Sequence, residues 1–559
     1  MPPISRRHFL THTVTATTAA LAGHHALIPT TTAVAANVTV GPGHKAPFKV
    51  LYSNDTTNIT GCTAPWHPKG APLRKEMIEA SVDEVAGTGV DAHLLQPGLG
   101  MVPMWPSKIF PLKEHYEWIE QRYGTKPDSF GNFVLHGGDI VKIFLDRCKA
   151  RGQAGFISIR LNDAHHKERA LFEPKDKPGT SIGMSVTRHY VEHPEYWLRE
   201  KSEKGRGYDL VQNWAEREVR AHKFKLIEEL CETYDLDGIE LDFMRFYNFF
   251  RPEETNQAQR REIMTSFVSD VRALLKRTEI GGKRRWLCAR VPAILKAHDP
   301  LGIHLPDMVA AGLDMVNLSV SYFTVQQTDL AAIRTSIPDA AVYHEMCHSI
   351  WNGTKIVPGY DTFPFRRTTK EQYNTTAHLA YARGADGVSA FNFAYYREHG
   401  GPERGPFSEP PFEVFNKMAD KEWLARQPQH WFLAPGWNNP FERPPLLPRK
   451  VETGDTALFT LDLAPPKDGW QRNGRLRVQL APEYPTGRWK AFINGTELAA
   501  NAMVSEPFPN PYTTMLGTPA QMRAWAVPAN LLIDGKNKIE FTLESGEPME
   551  IDYFDLAMV

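Results

Sequence analysis

The residues best equipped for chemistry lie in the run Asp237-Gly238-Ile239-Glu240-Leu241-Asp242-Phe243-Met244-Arg245-Phe246. Side chains alternate between the two faces of a β-strand. Read as a strand, this run puts Ile239, Leu241 and Phe243 on one face and Glu240 and Asp242 on the other. Two carboxylates on an interior face need a purpose or a partner, because unpaired buried charge is costly. Carboxyl groups held close together can divide nucleophile, base and acid roles. The same alternation in Ser158-Ile159-Arg160-Leu161-Asn162 and Cys288-Ala289-Arg290-Val291 points Arg160 and Arg290 inward. Either arginine is expected to pair with Glu240, with Asp242 nearer the strand end.

Glu345 stands in His344-Glu345-Met346-Cys347-His348, a literal H-E-x-x-H. On a helix, that spacing lets two histidines hold zinc while the glutamate activates water, as in a metalloprotease. The preceding residues read instead as the start of a strand. On a strand His344 and His348 would lie about 13 Å apart, too far to share one ion. A third group is Arg160-Leu161-Asn162-Asp163 with His165-His166. It can hydrogen-bond a polar substrate or orient a carboxylate. It matches no specific metal-ligand spacing, so neither metal nor cofactor is expected.

These residues need elements to bring them together. Eight short apolar runs alternate with helical patterns: 48–53, 91–96, 155–161, 238–244, 286–291, 315–321, 341–345 and 387–393. The helical stretch 215–234 carries Val219, Phe224, Leu226, Ile227 and Leu230 near 3.6-residue spacing. Eight such alternations predict an α/β fold, a (β/α)8 barrel over residues 48–420. A doubly wound open sheet would want a Gly-rich phosphate loop after the first strand, and none is present. Barrel chemistry belongs at the C-terminal strand ends. Those ends and the long connections 98–138 and 162–213 supply the expected substrate-binding set. It comprises Asn54, Asp55, Trp105, Arg160, Asn162, Asp163, His165, His166, Arg245, Arg290, Tyr322, His344 and Asn392.

The D-G-I-x-x-D run of residues 237–242 resembles strand four of glycoside hydrolase-like barrels, especially the family-10-like glycosyl hydrolases of bacteria. The resemblance implies chemistry on a carbohydrate substrate, with Asp242 at that family's strand-four aspartate. Family-18 chitinases carry a similar run, but their acid position is occupied here by Met244. By analogy with barrel glycosidases that use strands four and seven, Asp242 is expected as nucleophile or base and Glu345 as general acid, or the reverse. Glu240 is the alternative partner. Two other readings are a non-catalytic glycan-binding barrel and the zinc protease.

A Pro-rich stretch, residues 427–450, is expected to be a linker. Beyond it, residues 451–559 show strand alternation and tight turns such as Asn494-Gly495, which predict a β-sandwich. The segment from Ala526-Val527-Pro528 to Ile539, with Phe492-Ile493-Asn494-Gly495, resembles galactose-binding-like jelly-roll modules, some of which bind sugar and some of which are structural.

The chain begins with an address. Ser5-Arg6-Arg7-His8-Phe9-Leu10, a weakly apolar stretch and Ala33-Val34-Ala35 read as a twin-arginine export signal over residues 1–35. Export would place the protein in the periplasm or outside the cell. The chain's 559 residues hold 64 basic and 65 acidic side chains, a formal net charge of −1. That balance argues against nucleic-acid binding. No apolar run reaches membrane-spanning length. Five cysteines without a C-x-x-C pair read as buried thiols. Oligomeric state is not legible.

Overall fold

A computed structural model describes residues 42–559, apart from 63, 69–70, 173–179, 199–209, 352–364, 398–408, 437–445, 482–484 and 510–517. The expected export signal lies outside the described residues. Eight parallel strands close a barrel: β1 (Val50–Asp55), β2 (Ala92–Gln96), β3 (Ala154–Arg160), β4 (Gly238–Asp242), β5 (Trp286–Pro292), β6 (Met315–Ser319), β7 (Ala341–Cys347) and β8 (Gly387–Phe391). They pair in chain order, with β8 closing on β1. Each of the eight expected runs overlaps one of them.

The sequence explains both surfaces of the barrel wall. Ile239 and Leu241 of β4 face the helix layer and join the large outer core. Helix Arg217–Thr233 meets that core with Val219, Leu226, Ile227 and Leu230. Inside, Leu51, Leu94, Phe156, Cys288, Met315, Ala341 and Tyr343 form a small apolar plug. Gly238 is required beside the plug: a Cβ there would come within 2.3 Å of the Phe156 ring and 2.6 Å of the Trp286 carbonyl oxygen. The plug fills the lower barrel, so inward side chains nearer the C-terminal ends are free to be polar.

The C-terminal region is a β-sandwich. One antiparallel sheet runs Gln429–Leu433, Met549–Met558, Gly474–Ala481, Met522–Val527, Ala500–Asn501, with Arg449–Val451 also paired to Met549–Met558. The other runs Thr456–Leu463, Gly535–Ser545, Arg488–Ile493, Thr496–Glu497. Ala457, Phe459, Leu461 and Leu463 are buried at every second position, as the period of two demands. Within the expected linker, Gln429–Leu433 form an edge strand of the sandwich, and Trp431 on that strand is fully buried in the sandwich core. The Pro-rich composition masked that short alternation. All five cysteines are free and buried. Among the described residues, no helix is long and apolar enough to cross a membrane.

Candidate active site

At the C-terminal face, polar side chains from all eight strands or their ends join in one hydrogen-bond network. Register places Glu240 beside Ser158 and Cys288, and Asp242 beside Arg160 and Arg290. Arg290 is the hub. Its Nε and Nη2 each donate to a different oxygen of Glu345 at 2.7 Å, and its Nη1 donates to Asp242 at 3.2 Å. The Phe391 ring lies 3.9 Å from the guanidinium carbon and covers its face. Glu345 also accepts from Ser319 Oγ at 2.5 Å and Asn317 Nδ2 at 3.2 Å. Asp242 accepts from Gln96 Nε2 at 2.7 Å and the Met244 N–H at 2.8 Å. Gln96 Oε1 in turn accepts from Arg160.

Arg160 forms a second hub. It donates to Asp55 and, at 3.2 Å, to Asp163. Asn392 sits just past β8 in left-handed backbone, φ 53°. Its Oδ1 accepts the Asp55 N–H at 3.0 Å and its Nδ2 donates to the Asp55 carboxylate at 3.1 Å. Burial alone would raise the Asp55 carboxyl, but Arg160, then Arg245, hold it below its ordinary value. Asp163 is likewise held low against burial by His165, Lys167 and Arg160.

Glu240 behaves differently. The expected Arg–Glu240 ion pair is not formed: Arg290 goes to Asp242 and Glu345, and Arg160 to Asp55 and Asp163. Glu240 instead accepts from Ser158 Oγ at 2.7 Å, with Asn317 Nδ2 at 3.4 Å and Cys288 Sγ at 3.6 Å. Complete burial and the neighbouring Asp242 charge push its carboxyl up to about 7. The arginines rise past Glu240 because long side chains reach toward the strand ends, where the other acids lie.

The rim above the network is half-buried. His165 Nδ1 lies 2.8 Å from Asp163, and its Nε2 lies 2.7 Å from Nη2 of Arg245. Arg245 can only donate, so Nε2 accepts and the ring proton sits on Nδ1. Burial, followed by nearby cations, lowers the His165 value despite Asp163. The Arg245 guanidinium stacks 4.8 Å above the Tyr322 ring.

Five expected substrate residues do not join this assembly. Asn54 alternates with Asp55 and shares the outward parity of Tyr52, which packs on Phe415. Trp105 is buried against helix Arg217–Thr233 and donates Nε1–H to Glu229 at 3.0 Å. Asn162 staples two loops through the Gln212 and Asn248 backbones. His166 turns to Ser185 Oγ, 2.9 Å away. His344 faces out of the barrel, with Nε2 2.9 Å from the Val325 carbonyl oxygen. Its opposition to Glu345 follows from β7 being a strand, which separates the H-E-x-x-H side chains. Among the described residues, no group of three or more His, Cys, Asp or Glu side chains is arranged to hold a metal ion.

The site also contains Gln96, Ser158, Asn317 and Ser319, which were not singled out from the sequence. Their signal was strand parity. Gln96 ends β2 at the Asp55 level, and Asn317 stands beside Arg290 across β5 and β6.

No protein-family profile matches the chain, and no curated protein matches it. Solved structures offer distant likenesses. The glycoside hydrolase domain of PgaB (BpsB) from Bordetella bronchiseptica is 9% identical with a TM-score of 0.41, covering 63% of this chain and 96% of that one. Alpha-L-fucosidase isoenzyme 2 from Paenibacillus thiaminolyticus is 12% identical with a TM-score of 0.40, covering 70% of this chain. This chain spans about half, 51%, of that fucosidase's length. An alpha-L-fucosidase from Vibrio sp. strain EJY3 is 10% identical with a TM-score of 0.36, covering 92% of this chain and 96% of that one. The barrel assignment rests on the strand pairing itself.

Proposed function

We propose that this protein is an exported glycoside hydrolase acting on a poly- or oligosaccharide through paired carboxylates. One observation carries the reading: Asp242 of β4 and Glu345 of β7 meet across a single guanidinium at the C-terminal end of the barrel. Carboxyl pairs at that end of a barrel suit glycosidic bond cleavage, where one group attacks or activates water and another protonates the leaving oxygen. Four donated hydrogen bonds converge on each acid, from Arg290, Ser319 and Asn317 on Glu345 and from Arg290, Gln96 and the Met244 N–H on Asp242. The two acids therefore share the nucleophile-or-base and general-acid roles, in either assignment. The D-G-I-x-x-D resemblance supports the substrate class.

The experiment is a glycan-hydrolysis screen comparing wild type with Asp242→Asn and Glu345→Gln. The expected outcome is turnover by wild type and a loss of about 10²–10⁴-fold in each variant. Turnover surviving both changes rejects the site assignment. The closed Arg290 bridge also favours a second reading, a glycan-binding barrel in which these acids only brace the wall. Glycan binding without turnover by wild type selects it.

A further inference from the structure

We propose that Arg245 is a recognition residue for an anionic sugar, a uronate or a sugar sulfate, at the mouth of the barrel. The inference rests on the carbohydrate reading above and names its substrate class. Three arginines gather at this face, and their partners differ. Arg160 and Arg290 each hold two carboxylates. Arg245, three residues beyond Asp242, forms no ion pair with any described residue. Among the described residues its hydrogen bond goes to His165 Nε2, the lone pair of an imidazole whose proton is committed to Asp163. Its Nε is buried without an acceptor.

The surroundings hold that cation in place without neutralising it directly. Tyr322 lies against one face of the guanidinium, and His165 fixes one Nη. The Phe246 ring meets His165 edge-on, with centroids 5.4 Å apart, so His165 is wedged as well. Arg245, Phe246, Tyr322 and His165 are all half-buried, whereas the carboxylates beneath are fully buried. A ligand entering from solvent therefore meets a preset guanidinium with unused donors, flanked by aromatic rings. A planar fork of N–H groups recognises carboxylate or sulfate oxygens, and aromatic faces pack on sugar rings. A lysine could supply the charge but not the fork.

The test is binding of galacturonate, galactose 6-sulfate and galactose to the full chain, by titration calorimetry and saturation-transfer NMR. The variants are Arg245→Gln and Arg245→Lys, with unfolding midpoints as the check on folding. Wild type is expected to bind one or both charged sugars about tenfold or more tighter than galactose. Arg245→Gln should erase that preference, and Arg245→Lys should restore part of it. The charged sugar that is preferred identifies the anion. Equal affinity for charged and neutral sugars, or a preference that survives Arg245→Gln, overturns the inference and leaves the carbohydrate reading standing. Binding of none of the three overturns the inference and counts against that reading too.

Discussion

Arg290 grips Glu345 with two parallel N–H···O bonds, each 2.7 Å, and uses its remaining nitrogen on Asp242. The three side chains come from β5, β7 and β4, so one guanidinium ties together acids from opposite parts of the barrel wall. Replacing it should harm stability as well as turnover. Arg290→Met leaves two carboxylates buried without their cation, which costs about 3–5 kcal/mol. Arg290→Lys keeps the charge but cannot reach both acids in the same geometry. Urea unfolding should rank wild type above Arg290→Lys and Arg290→Lys above Arg290→Met. Equal midpoints for wild type and Arg290→Met would mean the bridge is not holding the fold.

Gln96 links the two arginine hubs, accepting from Arg160 with its oxygen and donating to Asp242 with its nitrogen. Gln96→Leu is nearly isosteric and cuts both bonds. It should destabilise the chain by about 1–3 kcal/mol, because a buried donor and a buried acceptor lose a partner. It should also lower turnover with little effect on secondary structure by circular dichroism. A variant with wild-type stability would show that Gln96 is not needed to satisfy either neighbour.

Trp105 serves as the contrast. The Glu229 carboxylate gathers its Nε1–H, the Ser107 hydroxyl and the backbone N–H groups of Lys108 and Ile109. Trp105→Phe removes one of these donors and should cost about 1–3 kcal/mol in unfolding free energy. The KM for any glycan substrate should stay within about twofold. A large rise in KM at unchanged stability would return Trp105 to the cleft.

What could be read from the sequence, and what could not, divides along physical lines. The alternation of apolar runs marked all eight barrel strands, because buried parallel strands must be apolar on their outer face. Parity within a strand placed Glu240, Asp242, Arg160 and Arg290 on the interior, since a period of two leaves no choice. Partner choice was not legible. Whether Arg290 turns to Glu240 or to Glu345 depends on how far a flexible side chain rises above the strand and what waits there. Loop residues were least legible: Asn162 and His166 share the polar character of a binding residue, yet are occupied by Gln212, Asn248 and Ser185. Gln96 and Asn317 lay within reach of the same parity argument, but uncharged amides stand out less than acids and bases.

The H-E-x-x-H match invites a direct metal test. His344 and Glu345 are neighbours on a strand and point to opposite faces, and His344 is bonded to the Val325 carbonyl. Dialysis against a chelator should therefore leave turnover unchanged, and added zinc should not raise it. Activity lost on chelation and regained with zinc would contradict the strand geometry of this motif.

Glu240 gives stability a specific dependence on pH. Burial, reinforced by the Asp242 charge, raises its carboxyl from an ordinary value of 4.5 to about 7. The folded chain thus keeps a proton that the unfolded chain surrenders above pH 4.5. Unfolding releases a proton in this window, so raising the pH favours the unfolded state. Glu240 contributes its full stabilisation below pH 4.5, loses it progressively as pH climbs toward 7, and contributes no further change beyond. The total is roughly 3 kcal/mol, at 1.36 kcal/mol for each unit of displacement. Glu84, also raised to about 7, acts in the same direction, so wild type alone would not isolate the effect. Glu240→Gln copies the protonated form and cannot ionise, and it leaves Glu84 untouched. Denaturant unfolding of both proteins from pH 4.5 to 7.5 should show wild type losing stability relative to Glu240→Gln as pH rises. A difference that stays constant across that range would mean that Glu240 is ionised throughout the folded state, with a partner supplying the missing charge.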